Sequence, residues 1–239
     1  MRKSLFLAVA LLLVAAPAFA NTFINGGFED NGGSFDSWTK GGGTYNGSYS
    51  YSGDPGKSAI VSTGTDPYTG GNLNMVYEGS KAARVNNYDW NYHFSTISQT
   101  VTNYTDPNIY FAWAAVIEDP GHSEPGHVRV TLKDVTTNQI IYNQYIDYYS
   151  HPAGVNWHTY NGWGYTDWNV AQLVTPVLGD TYELTVLASD CGWGGHGGYA
   201  YFDGFGAAPP QPSVPEPLTM LLLGSGLVGV IGFGRKFRK

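Results

Sequence analysis

Two stretches of the chain alternate so strictly that only one local structure accommodates them. In HVRVTLKD (127–134), Val128, Val130 and Leu132 fall on one side; in TYELTVLAS (181–189), Tyr182, Leu184, Val186 and Ala188 do the same. A repeat of two is the period of a β-strand with one face in a core and the other in water. IYFAWAAVI (109–117) is apolar throughout and reads as a central strand covered on both sides, with Trp113 in the core. IIYNQYIDYY (140–149) places Ile140, Tyr142, Ile146 and Tyr148 on one face. Weaker strand signals surround 82–85, 96–103, 168–173 and 199–205, with Gly, Pro, Asn and Asp between them. The body shows no amphipathic helical pattern. Residues 32–71 are rich in Gly, Ser and Tyr and predict long loops with one or two strands. Many short strands with such turns imply an all-β fold, a sandwich or a barrel.

The two ends are of another kind. Arg2 and Lys3 precede an apolar run, and Ala18-Phe19-Ala20 closes it with a small-x-small pattern. Segment 1–20 therefore reads as a secretory signal, a short helix removed by signal peptidase before Asn21. At the other end, 218–234 holds 17 residues without a charge, and Arg235, Lys236, Arg238 and Lys239 follow at once. That length sits at the lower limit for a transmembrane helix, and the basic cluster marks the cytoplasmic side. Gly224, Gly226, Gly229, Gly232 and Gly234 weaken the helix, which suits a temporary stop better than a permanent anchor. Pro209, Pro210, Pro212 and Pro215 predict a stiff spacer. The division expected is a signal at 1–20, one β-domain at 21–207, a Pro-rich linker at 208–214 and a terminal segment at 215–239.

Charge narrows the partners. The whole chain carries −7; setting aside the two basic residues of the leader and the net +3 of the tail leaves about −12 on the body. Nucleic acid, whose phosphates demand a basic footprint, is excluded as a partner. Neutral sugars and divalent cations remain compatible. A single cysteine, Cys191, rules out an internal disulfide and reads as a small buried hydrophobe.

Candidate chemistry lies in the loops. Aromatic residues crowd NNYDWNYHF (86–94) and NWHTYNGWGYTDW (156–168). Flat aromatic faces beside Asn or Asp suit sugar rings. Trp90, Trp163 and Trp193 are expected on accessible loops as ligand-binding residues. Asp119, His122, Asp190 and His196 present imidazole and carboxylate groups that a metal or another ligand can use. Their spacing matches no established zinc motif, so hydrogen bonding across Gly-flanked loops is the preferred reading for the histidines. No G-x-S-x-G elbow and no phosphate loop occurs in the body. Nothing singles out two carboxylates for glycoside hydrolysis, so no catalytic residue is assigned.

Resemblances add to this. Pro215-Glu216-Pro217, a short apolar helix and a basic tail resemble the PEP-CTERM sorting signal. The resemblance implies an exosortase, a membrane-embedded protease, as processing partner. It also implies transient membrane anchoring and delivery to the surface or exopolysaccharide matrix (biofilm) of a Gram-negative bacterium. The segment with Asn25, Gly26, Phe28, Glu29 and Trp38, together with GYAYFDGFG (198–206), resembles the first and last strands of galactose-binding-like jelly rolls, which include many carbohydrate-binding modules. In many of these, the Glu and Asp corresponding to Glu29 and Asp203 help hold a structural calcium ion. The alternative is that Glu29 caps a turn and Asp203 is a solvated strand residue. Asp119-Pro120-Gly121-His122 and the segment from Asp190-Cys191 to Tyr201 are similar to bacterial adhesin-like jelly rolls. There the cysteine pairs with one beyond the last strand, which this chain lacks.

The expectation is a non-catalytic exported jelly-roll sandwich that binds carbohydrate of the matrix. The alternatives are an adhesin or structural matrix protein without sugar binding, and a small polysaccharide-degrading enzyme.

Overall fold

Strand pairing gathers the alternating segments into two antiparallel sheets. The computed structural model describes residues 22–206 and 208–212, so the expected signal, transmembrane helix and sorting residues lie outside the described part. Among the described residues the strands are β1 (Thr39–Tyr45), β2 (Tyr49–Tyr51), β3 (Ala59–Ser62), β4 (Lys81–Val85), β5 (His93–Val101), β6 (Asn108–Glu118), β7 (His127–Asp134), β8 (Gln139–Asp147), β9 (Trp157–Tyr160), β10 (Trp163–Thr166), β11 (Asn169–Val174), β12 (Tyr182–Ser189) and β13 (Gly198–Gly206). One sheet has the order β2-β1-β5-β12-β7-β8. The other has β3-β4-β13-β6-β10-β9, with β11 also paired to β6. The described residues form an all-β jelly-roll sandwich: the alternation predicts the strands, and the jelly roll is what the resemblance implies. No helix among the described residues is long and apolar enough to cross a membrane.

The core lies between the sheets. Val128, Val130 and Leu132 of β7 and Tyr182, Leu184, Val186 and Ala188 of β12 meet Ile109, Phe111, Trp113, Ala115 and Ile117 of β6 there. The remaining apolar residues of β6 point the other way. Ala114 and Val116 join Tyr199, Tyr201, Trp163, Tyr165 and Leu73 in a second cluster outside the sheet. This is why 109–117 shows no alternation: both of its faces are covered. The covering loop is pinned by Asp66, which is fully buried. Its carboxylate accepts from Tyr199 Oη (2.6 Å), Tyr201 Oη (2.7 Å), Tyr68 N (2.8 Å) and Thr69 N (3.1 Å). Buried beside that carboxylate, both phenols titrate far above the usual tyrosine range.

Several expectations are corrected. Residues 32–71 hold three strands: Gly41, Gly42 and Gly43 let β1 pair closely with β2 and β5, and β3 joins β4 in the other sheet. On β8 the partner of Leu132 is Tyr142 and the partner of Lys133 is Ile140. Ile141 is the extra residue of a β-bulge and packs on the core, while Ile140 turns out to solvent at 61% exposure. The N-terminal segment is not a strand. It runs irregularly along the end of β13, where Phe205 N donates to Gly26 O (3.0 Å) and Phe23 packs on Phe205. A Cβ on Gly26 would overlap the Phe205 carbonyl. Asn25 adopts a left-handed backbone (φ 51°), which Asn tolerates better than most residues. Its side chain ties Ser34, Asp36 and Asp30 together, and its carbonyl accepts from Trp38 Nε1 (3.0 Å). The expected Pro-rich spacer starts by packing down: Pro210 is buried against Gly204.

Candidate functional site

At one end of the sandwich, four of the loops that gather there frame a cleft. They are the β1–β2 hairpin, the 86–92 segment before β5, the 119–126 connection between β6 and β7, and the 190–197 connection between β12 and β13. Backbone bonds lock them together. Tyr45 N donates to Tyr92 O (2.6 Å), Asp190 N to His93 O (2.8 Å), Gly192 N to Glu124 O (3.0 Å) and Glu118 N to Gly197 O (3.0 Å). Between them opens a cleft of about 660 Å³ lined by Thr44, Asn46, Asn91, Tyr92, His93, Gly192 and Trp193.

The lining combines aromatic surface with neutral polar groups. Trp193 is 60% exposed and Tyr92 39%. Tyr92 lies against the backbone of Gly194, where no side chain would fit. Thr44, Asn46 and Asn91 carry hydroxyl and amide groups that donate and accept hydrogen bonds. Burial holds His93 below the usual histidine range, with Lys57 adding to the effect, so its ring is neutral near pH 7.

Asp190 shapes the floor. It is completely buried, and its carboxylate accepts from Asn86 Nδ2 (2.9 Å), Asn91 N (3.2 Å) and His93 N (2.9 Å). Two of these donors belong to cleft residues, so Asp190 holds the 91–93 backbone in place from behind. Its burial pushes the carboxyl up to about 7.

The expected site residues divide. Trp90 (63% exposed) and Trp193 sit on accessible loops as predicted, and Trp193 lines the cleft. Trp163 does not. It is 8% exposed on β10 and packs on Tyr68 (4.5 Å between centroids) and Tyr199 (5.9 Å). A pair of polar-looking neighbours, Asn161-Gly162, makes its turn resemble an open loop, but the strand that follows is covered on both sides. His122 and His196 come together, with rings 5.2 Å apart, whereas Asp190 is buried beneath the 86–93 segment. Asp119 serves its own turn, accepting from Gly121 N (3.1 Å). Cys191 is buried, and its Sγ lies 3.6 Å from His196 Nδ1, so it belongs with the histidines rather than in the hydrophobic core.

Glu29 and Asp203 both approach Gly27. Glu29 accepts from Ser80 N (2.6 Å), Ser80 Oγ (2.7 Å) and Lys81 N (2.8 Å), which ties down the turn before β4. Asp203 is buried, not solvated. It accepts from Tyr77 N and Glu78 N (2.9 Å each) and from Gly204 N (2.7 Å). Burial raises it to about 7.

Thr44, Asn46, Asn91, Tyr92 and His93 are site residues that spacing did not identify. The aromatic density of 86–94 signals Asn91, Tyr92 and His93, and nothing in the sequence signals Thr44 and Asn46. Their convergence with Trp193 depends on loops separated by some hundred residues.

No curated protein is matched in sequence. Among solved structures, the chain is similar to the carbohydrate-binding module TmCBM61, solved with β-1,4-galactotriose (13% identity, 77% of this chain and 94% of that one, TM-score 0.44). It is also similar to CBM28, a module specific for non-crystalline cellulose (13%, 77% and 92%, 0.39). A further likeness is to the K2 cleaved adhesin domain of Lys-gingipain (13%, 77% and 96%, 0.38). Residues 213–239 match the PEP-CTERM protein-sorting motif, a stretch that includes Pro215-Glu216-Pro217 and the basic residues Arg235, Lys236, Arg238 and Lys239.

Proposed function

We propose that the protein is a non-catalytic exported protein, sorted to the cell surface or extracellular matrix by an exosortase, whose end cleft binds carbohydrate. The observation that carries the binding reading is the composition of the lining: two exposed aromatic faces, Tyr92 and Trp193, beside Thr44, Asn46 and Asn91. An aromatic ring takes the apolar face of a sugar, while neutral amides and hydroxyls satisfy its hydroxyl groups. The lining contains no Asp or Glu, and hydrolysis of a glycosidic bond normally needs two. The acidic body favours a neutral glycan over a polyanionic one.

Topology supports display on a surface. β13 begins at Gly198, beside Ile117 at the cleft end of β6, and finishes at Gly206, beside Tyr110 at the opposite end. Nine strand residues span roughly 30 Å. The chain thus leaves the sandwich toward its sorting segment from the end away from the cleft, which then faces outward.

The test is a panel of neutral and acidic polysaccharides presented to the purified protein, with Trp193→Ala in parallel. Binding to a neutral glycan that the variant loses supports the reading. Binding to no glycan, with capture of a protein partner instead, would favour the adhesin alternative. Release of reducing ends would favour the enzyme.

A further inference from the structure

Beside the cleft, two loops bring together three side chains of a different chemistry. His122 comes from the β6–β7 connection, and Cys191 and His196 from the β12–β13 connection. One donor atom from each lies within 4.8 Å of the others. We propose that His122, Cys191 and His196 bind one zinc-like transition-metal ion through two imidazoles and a thiolate. This site is independent of the carbohydrate reading.

The geometry is near that of a loaded site. Zinc bonds of about 2.0–2.1 Å to nitrogen and about 2.3 Å to sulfur, in a tetrahedron, put N and S about 3.6 Å apart and two nitrogens about 3.3 Å apart. Cys191 Sγ and His196 Nδ1 already stand 3.6 Å apart. His122 has on the order of 1 Å to close, from a loop whose side chain is only half-buried.

The loop that carries two of the donors is built in advance. Cys191 N donates to His196 O (2.9 Å) and Gly194 N to Cys191 O (3.1 Å), fixing cysteine and histidine on one side of a tight turn. Gly195 N–H points at Cys191 Sγ (3.2 Å). Such an outer contact orients the sulfur toward the neighbouring imidazole.

His122 carries the second independent sign of a ligand. Its Nε2 is inaccessible to solvent and has no hydrogen-bond partner. A buried polar atom without a partner is uncommon and calls for an explanation. Its Nδ1 accepts a long bond from Glu124 N (3.2 Å). Coordination through Nε2 moves the ring proton to Nδ1 and gives up that bond. Trp193 stacks on the ring and fixes its plane.

Thiolate and imidazole donors select zinc or copper over calcium and magnesium, which take oxygen. Three protein donors leave a fourth position for water or an outside ligand.

The experiment titrates the purified, reduced protein with Zn²⁺ against a chelating dye, and with Co²⁺ as a spectroscopic substitute. One equivalent should bind. Cobalt should give a thiolate charge-transfer band in the near ultraviolet and the strong visible bands of four-coordination. Cys191→Ser should abolish the charge-transfer band, and His122→Gln should weaken zinc at least tenfold without moving the melting temperature. If Cys191→Ser fails to fold, His122→Gln on its exposed loop decides. Folded wild-type protein without a thiolate band overturns the site and leaves a hydrogen-bonded Cys–His pair. So does zinc affinity unchanged by His122→Gln, or millimolar Ca²⁺ displacing the zinc.

Discussion

Trp193 lies flat on His122, with ring centroids 4.3 Å apart and planes inclined by 16°. The contact joins the 119–126 and 190–197 loops and covers one face of the indole. The other face stays open, which accounts for the 60% exposure of so large a side chain. A tryptophan held this way loses little rotamer freedom when a ligand arrives, which favours affinity.

Trp193→Ala is therefore expected to lose at least tenfold in glycan affinity while its melting temperature barely changes, as is usual for an exposed position. Trp163→Ala should do the reverse. It empties a buried ring position and should cost about 3–5 kcal/mol in stability, leaving the affinity of the folded protein intact. Calorimetric titration and thermal melts of the two variants check both halves. Equal effects on affinity would remove the distinction between a cleft residue and a core residue.

Asp66 should be among the most sensitive polar positions. Asn in its place puts an amide NH₂ where the carboxylate accepts either two phenols or two backbone donors. Asp66→Asn is expected to cost about 2–4 kcal/mol, the scale of charge-assisted bonds lost with their donors left buried. Denaturant unfolding measures it. A cost below 0.5 kcal/mol would mean that the covering loop is held by its apolar contacts alone.

The pH dependence of stability follows from three buried groups. Asp190 and Asp203 are raised by burial to about 7, above the ordinary 3.8. Between those values the folded state keeps protons that the unfolded chain releases. Stability from these groups therefore falls as pH rises from about 4 to 7 and is flat above. His127, lowered by burial to about 4, works in the opposite sense. It removes stability as pH falls from 6.5 to 4. The more exposed histidines His93 and His122 act in the same sense as His127, but the two buried carboxyls carry large shifts across the whole range, so the net is a loss of stability from pH 4 toward pH 7. Asp190→Asn should flatten that fall. Unfolding curves at four pH values test the sign; a stability that rises over this range would mean that the backbone donors outweigh burial.

Glu29→Ala is expected to destabilise by about 1–2 kcal/mol, because the Ser80 and Lys81 donors lose their acceptor at the turn before β4. A chelator distinguishes this from a calcium clamp with Asp203. If hydrogen bonds alone hold the turn, the wild-type melting temperature does not move on chelation, which is the expected result. A drop matching that of Glu29→Ala would establish the cation.

Much of the fold was legible in the chain because a strand's burial is written in near neighbours. The alternation of 127–134 and 181–189 required one buried face, and the unbroken apolar run of β6 required two. Even the motif at Asn25, Gly26, Phe28 and Trp38 has a local meaning: a left-handed Asn, a glycine pressed on the backbone of β13, and two rings in the core. Period alone failed where the backbone departs from it. The bulge at Ile141 sent Ile140 to solvent, and Trp163, read as an exposed loop aromatic, continues into a covered strand.

The chain's order of residues by itself determined an all-β body, acidic and poor in cysteine, between two terminal segments of different character, because hydrophobic period, charge and composition act over short distances. Only the tertiary structure decided which loop residues share a surface. Tyr92 and Trp193, or His122 and Cys191, are far apart along the chain and meet because antiparallel pairing returns their connections to one end of the sandwich. No local pattern records that return; it is a property of strand order, set by how two sheets bury a common core.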